Sequence, residues 1–347
     1  MTDRPTASPA GSRRPLLQVR DLKVHFDTPD GVVKAVDGVT FDIHPGETLG
    51  VVGESGSGKS VTFLTIMGLI TAKQARVEGE VVFDGQDLLA LPENEYRHFR
   101  GRRMGMVFQD AMTSLHPFYV VGEQIAEAVR AHEKISKRAA FDRAVDMLQR
   151  VGIPKPAERA RQYPHEYSGG MRQRAMIAMA LSLNPDMLIA DEPTTALDVT
   201  VQSQILELID RLRQEFQAAV VIITHDLGVV AEHCDHIQVM YAGRLVETGR
   251  TRDIYYRAHH PYTWGLLQSI PRLGVEEHRL RPIRGLPPSL IFVPPGCPFH
   301  PRCPYAWEEC QRVVPELLSP DGVHASACHL SLADKERLFR EEVLERA

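Results

Sequence analysis

Residues Gly53 to Ser60 read GESGSGKS, a glycine-rich segment that ends in a lysine and a hydroxyl side chain. Glycines allow backbone N–H groups to converge on phosphate, and the N-terminus of a following helix adds favourable partial charge. We expect Lys59 to reach the β and γ phosphates of a nucleotide and the Ser60 hydroxyl to ligate Mg²⁺. A chance lysine in a flexible loop is the alternative, but the segment lies between a predicted strand and a predicted helix, as phosphate binding requires. The predicted ATP-binding residues here are Gly53, Ser55, Gly56, Ser57, Gly58, Lys59, Ser60 and Val61.

A second segment that could do chemistry runs from Met187 to Pro193 and reads MLIADEP, an apolar strand that ends in two carboxylates. We expect Asp191 to hold Mg²⁺ through water and Glu192 to polarise the water that attacks the nucleotide. Taken singly, an Asp-Glu pair at the end of a strand is as often a helix cap or a surface turn.

A third segment, Tyr167 to Arg174, reads YSGGMRQR and leads into an amphipathic stretch. It resembles the signature of the ATP-binding-cassette (ABC) family. A serine and two glycines that open a helix direct backbone donors and a hydroxyl outward, toward an anion. The resemblance implies that Ser168, Gly169 and Gly170 contact the γ phosphate of ATP held by a partner subunit, so that this segment acts in trans.

Four further residues or segments occur in the order that this family shows. The resemblance implies that Gln109 senses the γ phosphate and Mg²⁺ and contacts a permease, that Thr195 to Asp198 (TALD) crosses a dimer interface, and that His225 is a catalytic switch histidine. Phe26 matches the aromatic residue that stacks on adenine. Taken singly, Gln109, His225 and Phe26 each have a simpler structural alternative: an ordinary glutamine, a structural histidine and a core phenylalanine.

The intervening sequence predicts the elements that position these residues. Short alternating apolar stretches between Leu16 and Ile43, broken by the turn at Thr28 to Gly31, indicate a β-hairpin. Strands are predicted at Thr48 to Val52, Met187 to Ala190 and Val220 to Thr224; the last two are continuous apolar runs typical of a parallel sheet that is covered on both faces. Helical spacing is found in Glu123 to Ala131, Lys137 to Val151 and Val201 to Phe216, and a helix is expected to begin near Lys59.

The predicted fold class is α/β: a phosphate-loop, RecA-like ABC cassette with an antiparallel β subdomain, a helical insertion and a small C-terminal domain rich in cysteine and proline. We expect a disordered tail at residues 1–15, the cassette at 16–255 with its helical subdomain at about 112–182, and a C-terminal extension at 256–347. The sequence contains no repeat that would indicate a tandem cassette.

The C-terminal sequence narrows the subgroup. HPYTWGLL at His260 to Leu267, the run PPGCPFHPRCPYAWEECQRVVPEL from Pro294, and ACHL at Ala327 to Leu330 resemble the extension of oligopeptide and dipeptide importer ATPases. The segment QDAMTSLHP, which begins at Gln109, is similar to a sequence found in the same subgroup. Three residues depart from the subgroup's usual pattern beside the motifs: Ala111, His116 and Tyr167.

Four of the five cysteines, Cys297, Cys303, Cys310 and Cys328, fall within 32 residues of a proline-rich segment. Because that segment has little apolar content and cytosolic proteins rarely use disulfides, we expect a metal centre to stabilise it. Four thiolates suit either tetrahedral zinc or a [4Fe–4S] cluster, and the importer resemblance implies the cluster. Zinc, free or disulfide-linked cysteines, and a mixed site with His300, His324 or His329 remain alternatives; the isolated Cys234 is predicted to be a packed core thiol.

Composition limits the remaining possibilities. The formal net charge of −5 disfavours a dedicated nucleic-acid binder, and no apolar run is long enough to cross a bilayer. We therefore expect a peripheral ATPase at the cytoplasmic face of the membrane. The resemblance implies a related second ATPase subunit, two membrane permeases and an extracytoplasmic peptide-binding protein. A soluble ABC ATPase and a transporter of nickel, glutathione or a glycoside are the alternatives, since other subunits select the cargo.

Overall fold

The computed structural model describes residues 14–71, 73–110, 114–195, 197–270 and 282–345. Most of the predicted N-terminal tail lies outside the described residues, as do Ala111 and Ala196.

A four-stranded antiparallel sheet forms the N-terminal part of the chain. Its strands are β1 (Leu17–Thr28), β2 (Gly31–Ile43), β4 (Arg76–Phe83) and β5 (Gln86–Asp87), in the order β2-β1-β4-β5. The hairpin predicted around Thr28 to Gly31 is confirmed, because these two residues pair at its end. The two apolar stretches between Gly31 and Ile43 form one continuous strand; register shifts in the pairing of β1 with β2 absorb the break in their alternation.

A seven-stranded mixed sheet positions the predicted motifs and lies beside the first sheet. Its strands are β3 (Thr48–Val52), β6 (Met104–Val107), β7 (Met187–Asp191), β8 (Ala219–Thr224), β9 (His236–Tyr241), β10 (Arg244–Arg250) and β11 (Ala325–Ser326), in the order β11-β10-β9-β3-β8-β7-β6. The five strands from β9 to β6 are parallel. Every residue of β3, β7 and β8 is buried, as the continuous apolar sequences of β7 and β8 predicted. Parallel strands end at one edge, so the loops after β3, β7 and β8 are brought together.

Helices cover this sheet and form a cluster behind Gln109. The described helices are α1 (Lys59–Ile66), α2 (Glu93–Tyr96), α3 (Val121–His132), α4 (Lys137–Arg150), α5 (Pro156–Arg159), α6 (Gly169–Leu181), α7 (Val199–Phe216), α8 (Leu227–His233), α9 (Thr251–Tyr256), α10 (Pro261–Gln268), α11 (Glu308–Arg312) and α12 (Leu332–Phe339). The helix expected to begin near Lys59 is confirmed as α1, and the helices predicted from periodicity are confirmed as α3, α4 and α7. A π-helical turn, Arg340–Leu344, follows α12. In the part of the chain that the structure describes, no helix is both long and apolar enough to span a bilayer.

The C-terminal segment shares a hydrophobic core with the ATPase part. Tyr262 and Trp264 of α10, Phe299, and Phe339 of α12 are buried in the same cluster as strand residues of β8 and β9. Strand β11 pairs with β10 and so extends the large sheet. Apolar packing therefore contributes to holding the C-terminal extension in place. Within the proline-rich segment from Cys297 to Cys328, which was expected to have too little apolar content to hold itself together, Cys297, Phe299 and Cys310 belong to this core.

Candidate ATP-hydrolysis site

The glycine-rich segment connects β3 to α1, as predicted. Gly53 has φ +154°, and a Cβ atom there would lie 2.2 Å from the carbonyl oxygen of Met240. Gly58, which caps α1, has φ +100°, and a Cβ atom would lie 2.3 Å from the carbonyl oxygen of Ala35. Both positions need glycine because of backbone conformation and close approach of a second backbone. Ser55 and Gly56, in the middle of the loop, are exposed.

The Lys59 side chain folds back over the loop. Its Nζ donates to the carbonyl oxygens of Gly53 (2.7 Å) and Glu54 (3.0 Å) and lies 3.5 Å from Ser57 Oγ. Burial lowers the pKa of Lys59, whereas the carboxylates of Glu192, Asp191 and Glu54 oppose this shift. A phosphate oxygen can replace the carbonyl oxygens of Gly53 and Glu54 as the acceptors of the hydrogen bonds from the Lys59 ammonium group.

Ser60 and Asp191 come into contact across the end of the sheet. Ser60 Oγ donates to Asp191 Oδ1 at 2.9 Å, although the two residues are 131 positions apart. Burial raises the pKa of Asp191, and the hydrogen bond from Ser60 opposes the shift. Two hard oxygen ligands in contact fit the preference of Mg²⁺, which binds proteins through a few such oxygens together with water and phosphate.

Glu192 is the centre of a hydrogen-bond network. Its Oε2 accepts from Gln109 Nε2 and from Thr195 Oγ1, both at 2.8 Å, and its Oε1 lies 3.4 Å from His225 Nδ1. Burial alone would raise the pKa of Glu192, but the hydrogen bonds from Thr195 and His225 lower it below its ordinary value. The backbone of Glu192 is left-handed, with φ 45°, a conformation that is uncommon outside glycine and often found at functional sites.

The structure therefore brings together four residues that the sequence placed far apart: Gln109, Glu192, His225 and the loop lysine. The contact of Thr195 with Glu192 was missed, since the sequence analysis assigned the TALD segment only to an interface. A hydroxyl three residues after the carboxylate, within a turn, was the available signal. Phe26 is half-buried in β1, packed against the core of the first sheet.

The SGG segment forms the N-terminus of α6. Ser168 is the N-cap, and its Oγ accepts from the backbone N–H of Met171 at 3.3 Å. Ser168 and Gly169 are exposed, so this helix end presents its donors to solvent. Tyr167, one of the departures, is buried and donates from its hydroxyl to the carbonyl oxygen of Arg159 at 2.9 Å.

Comparisons with known proteins agree with this geometry. Residues 36–195 match the family described as ABC transporter. The oligopeptide transport ATP-binding protein OppD of Salmonella typhimurium is 52% identical over 311 residues, covering 89% of this chain and 92% of that protein. The chain belongs to the ABC transporter ATPase family. Its activity is ATP hydrolysis coupled to transport.

Other comparisons extend the ABC assignment. The dipeptide transport ATP-binding protein DppD of Bacillus subtilis is 51% identical over 316 residues, covering 91% of this chain and 94% of that protein. Residues 246–310 match a second family, described as the C-terminal region of oligopeptide/dipeptide transporters. A dimeric post-hydrolysis structure of the ATP-binding cassette MJ0796 with ADP and Pi has a TM-score of 0.62 and 28% identity, covering 68% of this chain and 99% of that one.

The four C-terminal cysteines of this ABC ATPase surround one small cavity. Cys297, Cys303, Cys310 and Cys328 line it, together with His260, Phe299, His300, Tyr305, Trp307 and His329. Burial raises the pKa of Cys297 to about 11 and that of Cys303 to about 12. Cys297 and Cys303 therefore stay protonated as free thiols at neutral pH, and their thiolates require a compensating cation. Cys234 is buried beside β3, as predicted.

The nearby histidines differ in their surroundings. His300 and His329 line the cysteine cavity, but each has a ring nitrogen 2.9 Å from a backbone carbonyl oxygen. His324 instead contacts Glu247: its Nε2 lies 2.7 Å from Glu247 Oε1, and both side chains are fully buried. Glu247 was not predicted as a functional residue; it lies on β10 between Val246 and Thr248.

Proposed function

We propose that this chain is the ATP-hydrolysing subunit that powers import of dipeptides and oligopeptides across the cytoplasmic membrane. The observation that carries the proposal is the joint presence of the Gln109–Glu192–His225 network beside the phosphate loop and a C-terminal segment of the oligopeptide/dipeptide type. The relatives named for oligopeptide and dipeptide transport support the choice of cargo.

In the proposed mechanism the loop from Gly53 to Val61 binds the phosphates of ATP, and Phe26 stacks on its adenine. Ser60 and Asp191 would hold Mg²⁺, and the ion would supply positive charge to neutralise the phosphate oxygens. Glu192, whose lowered pKa keeps it ionised, positions the attacking water and accepts its proton. Substitutions of these residues should lower the rate of ATP hydrolysis more than they lower the stability of the fold.

Gln109 and His225 hold the Glu192 carboxylate from two sides. Gln109 Nε2 donates to one oxygen, and His225 lies beside the other. The His225 side chain is 62% exposed, which leaves it free to contact the γ phosphate once a second subunit covers the site. We propose that Gln109 also senses Mg²⁺ and transmits the state of the site to the permease.

We propose that two cassettes close head to tail, with ATP between the phosphate loop of one and Ser168, Gly169 and Gly170 of the other. The exposed N-terminus of α6 supports this role, because its donors face solvent within the single chain. Closure that depends on γ-phosphate contacts gives the difference in affinity between ATP and ADP that a ligand-driven switch needs. We further propose that the partner is a related second ATPase.

The remaining partners are two permeases and an extracytoplasmic peptide-binding protein, with the chain bound peripherally at the cytoplasmic face. A surface of the helical part, with exposed Phe118 and Tyr119 next to the groove that Phe141 and Arg161 line, suits a permease segment. Large exposed aromatic residues are enriched where proteins dock. No nucleic-acid partner is proposed.

We propose that Cys297, Cys303, Cys310 and Cys328 hold a [4Fe–4S] cluster. The four thiols line one small cavity. Four thiolates suit either tetrahedral zinc or a [4Fe–4S] cluster, and the similarity of this segment to the C-terminal region of oligopeptide and dipeptide transporters favours the cluster. Its proposed role is architectural.

The test is anaerobic co-purification with the proteins of neighbouring genes, followed by ATPase assays in lipid vesicles. We expect hydrolysis to rise when peptide-loaded binding protein is added, and iron and sulfide to be present in equal amounts. A complex that hydrolyses ATP but responds to nickel, glutathione or a glycoside and to no peptide would refute the cargo. Zinc in place of iron and sulfide would refute the cluster.

A further inference from the structure

The C-terminal segment contacts the phosphate loop directly through Arg302. This residue ends a one-turn helix, His300–Arg302, and immediately precedes Cys303. Its guanidinium binds the Glu54 carboxylate in bidentate fashion, with Nη1 to Oε2 at 2.6 Å and Nη2 to Oε1 at 2.9 Å. Glu54 is the second residue of the loop, 248 positions away. Bidentate pairs of this kind fix geometry as well as charge.

Arg302 is itself held rigidly. Its Nε donates to the carbonyl oxygen of Arg284 at 3.0 Å, and Nη2 lies 3.3 Å from that of Gly285. The guanidinium also lies over the rings of Tyr241 and Phe299, with centroid distances of 5.8 and 5.9 Å. The side chain is only 5% exposed. A charged group so enclosed gives Glu54 one defined position.

A second contact holds the backbone of the same residue. The Glu54 N–H donates to the hydroxyl oxygen of Tyr262, a fully buried side chain of α10, at 2.8 Å. The Glu54 carbonyl oxygen in turn accepts from Lys59 Nζ and from the backbone N–H of Ser57. The C-terminal segment therefore binds Glu54, the residue whose carbonyl oxygen orients the phosphate-binding Lys59.

We infer that Arg302 is a positioning residue of the ATP site: through Glu54 it holds the phosphate loop in its nucleotide-binding form and so couples the cysteine-rich segment to ATP affinity. The inference rests on ATP binding at this loop, as proposed above. If only a fraction of the molecules has the loop in this form, the apparent Kd for ATP equals the intrinsic Kd divided by that fraction. We expect a rise of about tenfold in the Kd for Mg-ATP when the pair is broken, with a smaller change in kcat.

The decisive variant is Glu54→Gln, which keeps the shape of the side chain and leaves the interior of the C-terminal segment unchanged. If Glu54 acted only as a negative charge near the triphosphate, its removal would strengthen ATP binding. If it positions the loop, the same change weakens binding. The two possible roles of Glu54 thus predict changes of opposite sign in the Kd for Mg-ATP.

The experiment compares the full chain with Glu54→Gln, Arg302→Met and the double variant, by calorimetric titration with Mg-ATP and by separate KM and kcat measurements. Positioning predicts that both single variants and the double variant bind about tenfold more weakly, because the second change removes nothing further. Arg312→Met is the matched control, since Arg312 pairs with Glu308 within its own exposed helix, and its Kd should stay unchanged.

Three results would overturn the inference: tighter binding by Glu54→Gln, a double variant restored to the wild-type Kd, or variants whose melting temperature falls while Kd is unchanged. If Arg302→Met does not fold, Glu54→Gln alone still decides the sign. A wild-type chain that binds no Mg-ATP would refute the proposed function instead, so the two failures are distinguishable.

Discussion

Replacing Glu192 by glutamine separates ATP binding from hydrolysis. The carboxylate accepts hydrogen bonds on Oε2 from Gln109 and Thr195, and its other oxygen faces His225 Nδ1. In Glu192→Gln the amide oxygen can keep both donors while the NH₂ group faces the ring nitrogen of a neutral His225. The network is therefore preserved in shape, and the variant loses only the ability to accept a proton from water.

The size of the effect follows from that single loss. A positioned general base contributes about 10² to 10⁴ in rate, which corresponds to about 3–5 kcal/mol of transition-state stabilisation. Because Lys59, Ser60 and the loop backbone are unchanged, we expect the Kd for Mg-ATP to stay within about twofold of the wild-type value. A site that binds ATP but does not turn it over should accumulate the closed dimer.

The assay combines phosphate release, Mg-ATP titration and size-exclusion chromatography with ATP present. Glu207→Gln, an exposed carboxylate on α7, is the control and should hydrolyse ATP normally. A wild-type rate in Glu192→Gln would refute the assignment of the base. Loss of ATP binding would show instead that the carboxylate supports the loop.

Two further predictions concern other parts of the chain. The variant Ser168→Arg places a bulky side chain at the exposed start of α6. It should leave ATP binding by a single subunit intact in a titration and lower hydrolysis at least 100-fold in a phosphate-release assay. An equal loss of binding and hydrolysis would contradict action in trans. The variant Glu247→Leu leaves His324 buried without its partner and should reduce the free energy of unfolding, measured by urea titration, by about 3–5 kcal/mol. The control Glu308→Gln breaks an exposed ion pair and should change the free energy of unfolding by less than about 1 kcal/mol. Equal effects of the two variants would refute the importance of burial.

The sequence predicted those features that depend on local pattern. The phosphate loop, the strand that ends in Asp191 and Glu192, and the capped start of α6 each combine a short motif with the periodicity of a flanking element, so their type and position could be predicted. The convergence of Gln109 on Glu192 followed only from the resemblance to ABC ATPases, because nothing local states that two loops meet.

Features that depend on long-range packing were missed. The proline-rich segment from Cys297 to Cys328 has little apolar content, and its stability was attributed to a metal centre. In the structure, Phe299 of this segment packs beside Tyr262 and joins the core of the ATPase part, and a buried aromatic side chain contributes a large apolar area. The contact of Arg302 with Glu54 had no sequence signal, because either residue taken alone is an ordinary surface charge.

The contacts of Lys59 connect these observations to the first step of the reaction. Its ammonium group donates hydrogen bonds to the carbonyl oxygens of Gly53 and Glu54. Binding of ATP exchanges neutral acceptors for charged phosphate oxygens, and charge-assisted hydrogen bonds are roughly twice as strong as neutral ones. The exchange is favourable only if the loop does not collapse once the lysine leaves. Arg302 and Tyr262, which hold Glu54 from outside the loop, keep its backbone in place during that exchange.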